Sequence, residues 1–358
     1  MHMSWPGTGS VPVGLSIANV RLLDGFTGWK WSDIETSAGV YNWTALDTRV
    51  TAYRQLGWTV SFCVYGTPTF YASAPDQAFN DQYGKAGGAA YPALDTNLAG
   101  LSAFITALVT RYNAAGGVWR AANPTLGKGF TTIETWNEPY FFQNHSGYWW
   151  GTQTQLVDLC YTVYAASKAV DSSLLVLGPA WLTSSYCEDW MKYSGTLNST
   201  KTAAMTFDAF NFHCYLFCPY GQTYAGCYAD IAWGNAGAYQ YIALAAIYKP
   251  GAKIYCSEIG FDSFTGTTRL ASLLSEVASI RYIHLARSMV ILAALGIQRV
   301  GPYSMNSTLT GDFVSDNNGV RLAYNTVAAI TGKTIVAASA GVMTPVSLTF
   351  SDGTSLTI

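Results

Sequence analysis

The sequence predicts an α/β protein of the (β/α)8 class, a TIM barrel with a small C-terminal β appendage. Short apolar runs alternate with longer amphipathic stretches seven times, and these runs are almost wholly apolar. Strands buried on both faces have this composition, and they belong to parallel sheets covered by helices. Seven strand–helix units and one frayed opening strand make the eight of a barrel, for which 358 residues is an ordinary length.

Each unit is marked by an apolar strand segment and by the helix that follows it. The strand segments are, in order, SIANVRLLD, WTVSFCVYG, GFTTIETWN, SLLVLGPAW, FDAFNFHCY, AKIYCSEIG and IQRVGPYSM. Helices are predicted over Thr44–Leu56, Leu98–Tyr112, Thr154–Val170 and Ala236–Tyr248, around Tyr186, and in the segments IRYIHLARSMVILAALG and GVRLAYNTVAAITG.

The beginning and the end of the chain lie outside the seven clear strand–helix units. The opening strand is the least well marked, because only MHM precedes the segment SWPGTGSVPVG. A doubly wound open sheet is the alternative fold, but no Gly-rich phosphate loop follows the first clear strand. At the other end, residues 334–358 alternate with period two around a Ser-Asp-Gly-Thr turn, which predicts a strand and a hairpin. We therefore assign residues 1–333 to the barrel and 334–358 to the appendage.

Composition excludes two classes of partner. The net charge is −2, and the 19 Lys and Arg residues never form a basic run, so we predict no nucleic-acid partner. No apolar run reaches the roughly 18 to 20 residues that a membrane span needs. Aromatic residues make up 15% of the chain, including 12 Trp and 24 Tyr. Such side chains suit both a large core and stacking on sugar rings, so their placement has to decide between the two.

Cysteines and sequons bear on the compartment. Seven cysteines are an odd count, so at least one is unpaired. Two disulfides are hypothesised, Cys218–Cys227 across a loop and Cys160–Cys187 between neighbouring helices. Low Lys, many Tyr and Asn, and these possible disulfides favour a secreted or cell-surface protein, and four Asn-x-Ser/Thr sequons are compatible with export. A monomer is expected.

Two glutamates follow or end predicted strands, where a parallel barrel carries its reactive groups. Glu138 lies in ETWNEPY and Glu258 in AKIYCSEIG. A retaining glycosidase needs this pair, because one carboxylic acid must protonate the leaving oxygen while an ionised carboxylate attacks the anomeric carbon. The sequence therefore predicts Glu138 and Glu258 as catalytic residues.

The predicted surroundings of the two carboxyl groups differ in the way that a neutral acid and an ionised nucleophile require. Glu138 lies among aromatic residues such as Trp136 and Tyr140, where loss of water favours the neutral acid. Arg21 and Tyr215 are candidate partners that would keep Glu258 ionised.

Further side chains on the same face are predicted to bind substrate. Asn137 is placed to donate to the sugar 2-hydroxyl, a hydrogen bond that strengthens in the transition state. The full predicted set comprises Arg21, Asn137, Trp181, His213, Tyr215 and Tyr303 at or after strand ends, and Trp29, Trp31 and Tyr140 in loops.

Two other glutamates receive structural roles, and no metal or cofactor is expected. Glu35 is predicted to order its own loop, and Glu134 to be a buried partner of Arg21. The four histidines do not have the spacing of metal ligands.

Together these motifs resemble those of glycoside hydrolase clan A. The resemblance is carried by WNEP, by the later SEIGF, by an Arg on the second barrel strand and by His-x-Tyr on the sixth. The segment VRLLDGFTGWKWSDIETSAGVYNWTALDTRVTAYRQLGWTVSFCVYGTPTFYAS is similar to family thirty-nine of that clan. Membership implies a retaining mechanism, with Glu138 as acid/base, Glu258 as nucleophile, and carboxyl groups about 5 to 5.5 Å apart.

The chain departs from this pattern at two positions. Tyr140 follows Asn-Glu-Pro where many relatives have Asn or Asp, and Tyr303 stands where the clan often has Trp on the last strand. The family spans xylosidases, iduronidases and hydrolases of bacterial exopolysaccharides, and the opening segment favours the last group.

The sequence therefore predicts a retaining glycoside hydrolase acting on an oligo- or polysaccharide. Two alternatives stay open: a carbohydrate-binding barrel without catalysis, and a transglycosylase that uses the same carboxylates. The intact glutamate pair argues against the first, while the sequence does not separate hydrolysis from transfer.

Overall fold

A computed structural model describes residues 19–23, 28–72, 98–139, 149, 151–216, 237–261, 288–302, 333, 335–339 and 347–357. The strands are β1 (Asn19–Leu22), β2 (Glu35–Ser37), β3 (Val40–Tyr41), β4 (Thr59–Cys63), β5 (Thr132–Glu134), β6 (Leu175–Trp181), β7 (Ala209–Leu216), β8 (Ile254–Phe261), β9 (Arg299–Pro302), β10 (Ile335–Ser339), β11 (Ser347–Phe350) and β12 (Ser355–Thr357). The helices are α1 (Trp31–Ile34), α2 (Thr44–Gln55), α3 (Ala99–Asn113), α4 (Val118–Ala122), α5 (Gln153–Val170), α6 (Ser184–Trp190) and α7 (Ala238–Tyr248). Residues 288–294 are also helical.

The main sheet has seven strands in the order β1-β4-β5-β6-β7-β8-β9. Neighbours are parallel for β1–β4, β4–β5, β5–β6 and β8–β9. Each of the seven predicted strand segments coincides with one of these strands, although β7 and β8 end one residue beyond their segments, so this part of the prediction is confirmed. The opening strand falls outside the described residues.

The chain divides into two compact units. The first contains Ala18–Asn211 and Leu244–Lys253, and the second contains Met1–Ile17, Phe212–Ala243 and Ile254–Ile358. The boundary predicted between residues 333 and 334 stays a prediction.

In the first unit, amphipathic helices cover the sheet. α3 buries Leu101, Phe104, Ile105 and Leu108, whose spacing of three and four residues forms one helical face. The start of α5 is fixed by a capping box, in which the Thr152 hydroxyl accepts from the Gln155 amide and the Gln155 side chain accepts from the Thr152 amide. α3 and α5 pack against each other, and α5 also packs against β6.

Predicted and observed helices agree closely in the described residues. α2, α3, α5 and α7 differ from their predicted bounds by at most two residues, and α6 contains the predicted position Tyr186. The sequence prediction missed α1, α4 and the β2–β3 hairpin, because segments of two to five residues carry too little periodicity to be recognised.

In the second unit, β8 runs parallel to β9, and β10, β11 and β12 form a separate antiparallel sheet. The predicted hairpin around the Ser-Asp-Gly-Thr turn is present as β11 and β12. Asp352 stabilises the turn by accepting from the amide and hydroxyl of Thr354 at 2.9 and 2.6 Å. None of the helices in the described ranges combines the length and apolar character needed to cross a bilayer.

The predicted disulfide between Cys160 and Cys187 is wrong, because both residues are free, buried thiols. Cys160 lies on α5 and Cys187 on α6, and burial raises the pKa of each thiol. Cys218 and Cys227 fall outside the described residues, so their pairing stays a prediction.

A thiol count tests this correction. The free cysteines are Cys63, Cys160, Cys187, Cys214 and Cys256. We expect a thiol reagent to detect at least five thiols in denaturant without reductant, and far fewer in the native protein, because all five are buried. A smaller count in denaturant would mean that one of the five is oxidised.

Candidate active site

Asn137 and Glu138 lie just beyond the end of β5, where the chain still pairs with β6. Asn137 forms a parallel bridge with Ala180, and the Glu138 amide donates to the Ala180 carbonyl at 2.9 Å. Glu138 is half-buried and has a φ of 38°, in the left-handed region that L-residues other than glycine rarely occupy. Such a conformation costs about 1–3 kcal/mol and persists only where the surroundings impose it. The surroundings therefore hold the backbone of Glu138 in a defined conformation.

Arg21 connects β1 to this strand end. Its Nε donates to Glu134 Oε2 at 2.8 Å, and its Nη2 donates to Asn137 Oδ1 at 2.8 Å. Arg21 and Glu134 are 2% and 1% exposed, so the ion pair is fully buried. Glu134 is thus the buried partner of Arg21, as predicted.

A second polar cluster lies nearer the start of the same strands. The Asn19 amide donates to the Thr59 hydroxyl at 2.8 Å, and Ser61 Oγ donates to Asn19 Oδ1 at 3.1 Å. Ser61 also bonds to Thr132 on β5. These bonds cross from β1 to β4 and β5, so they fix the strand of Arg21 relative to the strand that carries Glu134 and leads to Asn137.

Glu258 lies in β8 next to a buried histidine of β7. His213 Nδ1 is 3.5 Å from Glu258 Oε2, and His213 Nε2 is 3.1 Å from Ser257 Oγ. With its proton on Nδ1, the neutral ring donates toward the carboxylate and accepts from the Ser257 hydroxyl. His213 is fully buried, so bulk water does not compete for these contacts.

Trp31 lies in the core, and substrate contact by its ring stays a prediction. Its ring is fully buried and stacks on Tyr71 and Phe104, with centroid distances of 5.6 and 5.8 Å. Its indole nitrogen donates to Glu35 at 2.5 Å, and Glu35 also accepts from the Gly39 amide at 2.8 Å. Trp31 therefore packs in the core, and Glu35 orders its own loop, as predicted.

Trp29 and Trp181 are also buried. The Arg49 guanidinium lies 5.7 Å from the centre of the Trp29 ring, and Trp181 at the end of β6 packs against Trp190 at 5.5 Å. Substrate contact by either ring stays a prediction. Tyr140 and Tyr303 fall outside the described residues, as does the side chain of Tyr215 on β7.

Two residues that contact this machinery were not predicted. Cys63 on β4 accepts from Arg21 Nη2 at 3.6 Å, and it stands in register with Glu134 of β5. Period-two alternation from Ser61 could have placed it on the same side of the sheet. Ser257 could not have been found in this way, because the register of β8 shifts between Cys256 and Ile259.

Comparison with known proteins identifies the enzymes that share this fold. No protein-family model matches the sequence, and no curated protein matches it significantly. Among solved structures, however, the chain has the fold of glycoside hydrolases, and this confirms at the level of the fold the resemblance predicted from the sequence.

Three structures illustrate the likeness. A glycoside hydrolase family 39 enzyme from Xanthomonas axonopodis pv. citri matches with a TM-score of 0.58 and 16% identity, over 94% of this chain and 65% of its own. A monomeric β-xylosidase from Caulobacter crescentus matches with a TM-score of 0.57 and 17% identity, over 92% of this chain and 66% of its own. A glucosidase from Croceicoccus marinus matches with a TM-score of 0.54 and 15% identity, over 95% of this chain and 68% of its own. The chain therefore spans about two thirds of the length of these enzymes.

Proposed function

We propose that this protein is a retaining glycoside hydrolase that cleaves an oligo- or polysaccharide, with Glu138 as acid/base and Glu258 as nucleophile. The observation that carries the proposal is the half-buried Glu138, held in a left-handed conformation at the end of a parallel strand beside the anchored Asn137. Strain of this kind clusters at active sites, and the end of a parallel strand is where the barrel fold carries catalytic groups.

In the first step, Glu258 attacks the anomeric carbon as the bond to the leaving oxygen breaks. Glu138 transfers its proton to that oxygen, so the leaving group departs as a neutral alcohol and a covalent glycosyl ester remains on Glu258. His213 lies 3.5 Å from the attacking carboxylate, and its proton would orient Glu258 before attack.

In the second step, water replaces the enzyme carboxylate. Glu138, now ionised, accepts a proton from a water molecule whose oxygen attacks the anomeric carbon, and Glu258 leaves as a carboxylate. Two inversions at the same carbon retain its configuration. Asn137 would donate to the sugar 2-hydroxyl in both transition states.

The proposed substrate is carbohydrate, and the similar structures suggest which sugars to test first. They include a β-xylosidase and a glucosidase, so β-xylosides and glucosides lead the panel. We further propose a closed eight-stranded barrel with residues 334–358 as its appendage, and a monomeric protein outside the cell. The likeness to a monomeric enzyme supports the monomer, and the four sequons support a location outside the cell.

The configuration of the first product tests the mechanism. In proton NMR recorded during turnover, we expect the anomeric signal of the substrate's own configuration to appear before mutarotation. First appearance of the opposite anomer would refute double displacement. If the sugar is transferred only to added alcohols or sugars, never to water, the protein is a transglycosylase.

A further inference from the structure

We propose that Glu134 is a positioning residue: acting through Arg21, it orients Asn137 so that the amide nitrogen of Asn137 faces the bound sugar. This inference rests on the proposed function and deepens it. Glu134 itself does not touch the reacting atoms, so its contribution has to pass through its partners.

The three residues form a short chain of charge-assisted hydrogen bonds. Glu134 Oε2 lies 2.8 Å from both Nε and Nη2 of Arg21, and Nη2 also lies 2.8 Å from Asn137 Oδ1. Hydrogen bonds of an ionised group are roughly twice as strong as those between neutral groups. Because Glu134 holds two nitrogens on one side of the guanidinium, the plane of that group and the direction of Nη2 are both fixed.

The chemistry of arginine then fixes the amide of Asn137. A guanidinium only donates, so the atom of Asn137 that faces Arg21 must be the oxygen. The Nδ2 group consequently points away from Arg21, and within the described ranges no residue accepts from it. Asn137 as a whole is 2% exposed, and its Nδ2 donor is available to a hydroxyl of the substrate.

The burial of the pair explains why Glu134 is required. Without the carboxylate, Arg21 would lose the two contacts that hold Nε and Nη2 on one side of the guanidinium, and this group could rotate. Asn137 would lose its fixed acceptor role, and its amide could turn its oxygen toward the sugar. That orientation cannot donate to a hydroxyl, so the substrate would lose a hydrogen bond that strengthens in the transition state.

The test compares Glu134→Gln with the wild type on two aryl glycosides that differ only in the 2-hydroxyl. Glutamine keeps the size and an acceptor oxygen but loses the charge that orients Arg21. We expect kcat/KM on the 2-hydroxy substrate to fall by roughly 10- to 100-fold, mainly through kcat, as for a misaligned catalytic contact. On the 2-deoxy substrate the variant should match the wild type. Equal losses on both substrates would overturn the inference.

A matched control separates positioning from general destabilisation. Asp158 on α5 is also a buried carboxylate, 7% exposed, and it accepts from the Thr196 and Leu197 amides. Asp158→Asn should affect the two substrates equally. A selective loss on the 2-hydroxy substrate in this control would mean that the selectivity reports destabilisation, and the inference would fail.

A double-mutant cycle tests the route of the effect. If Glu134 acts through Asn137, Glu134→Gln should cause no further loss in an Asn137→Ala background. Additive losses would overturn the inference. If Glu134→Gln does not fold, Glu134→Asp keeps the charge on a shorter stem, and it should show a smaller loss that is again confined to the 2-hydroxy substrate.

Binding measurements test the positioning role of Glu134 even if the protein hydrolyses no glycoside. If the wild type hydrolyses neither substrate, the proposed function fails, and calorimetry with the methyl 2-hydroxy and 2-deoxy glycosides replaces kinetics. A preference for the 2-hydroxy sugar that is lost in Glu134→Gln would still support the positioning role. An unchanged preference, or none in the wild type, would overturn it.

Discussion

Glu258→Gln is expected to lose turnover by on the order of 10⁴-fold or more, since removing a residue of a catalytic unit disables the whole unit. The amide has the shape of the carboxylate but cannot attack the anomeric carbon. Initial rates on activated aryl β-glycosides provide the measurement. Glu188→Gln, on the exposed face of α6, is the matched control and should retain wild-type rates. Turnover by Glu258→Gln close to the wild-type rate would rule out Glu258 as the nucleophile.

Glu138→Ala should differ from this variant in one diagnostic respect. An activated aryl leaving group departs without a proton, so the glycosyl ester on Glu258 still forms but is not hydrolysed. Added azide should then restore turnover and yield a glycosyl azide with the configuration of the substrate. Rescue that gives the opposite configuration would indicate that Glu138 is the nucleophile and would reverse the two roles.

Arg21→Leu is expected to lower the free energy of unfolding by about 3–5 kcal/mol, because Glu134 would stay buried without its cation. Glu134 is 1% exposed, so water cannot replace the missing partner. Urea denaturation at neutral pH, with an unchanged m-value, gives the loss directly. The double variant Arg21→Leu/Glu134→Leu should recover much of the lost free energy of unfolding, since neither leucine buries a charge.

Arg111 provides the matched arginine. It pairs with Asp47, but the two side chains are 19% and 29% exposed, so water can partly replace the lost contact. Arg111→Leu should therefore cost clearly less than Arg21→Leu. Equal losses would contradict the view that burial of the Arg21–Glu134 pair sets its energetic weight.

The order of strands and helices could be predicted because each main element has a strong local pattern. β4 and β6 come from nearly continuous apolar runs, and α3 and α5 show the helical spacing of buried residues. The disulfide between Cys160 and Cys187 was predicted wrongly because no local pattern of this kind determines it. Sequence places them on neighbouring helices but contains no information on the direction of their side chains.

The sequence predicts the position of a residue along a strand better than it predicts the packing of an aromatic side chain. The end of β5 delivers Asn137 and Glu138 because the parallel pairing with β6 continues to Ala180. Trp31 follows a strand as a substrate-binding residue would, yet it stacks between Tyr71 and Phe104. Those partners are 40 and 73 residues further along the chain, so no local pattern reveals them.

A trapping experiment shows whether Glu258 forms a covalent bond with the sugar. An activated 2-deoxy-2-fluoro glycoside, chosen from the sugars that the wild type cleaves, slows the second step more than the first, so the ester accumulates. Intact-protein mass spectrometry should show one added glycosyl group, and peptide mapping should place it on Glu258. The adduct should be missing in Glu258→Gln. Inactivation with the label on another residue, or continued turnover of this probe without any adduct, would contradict the account.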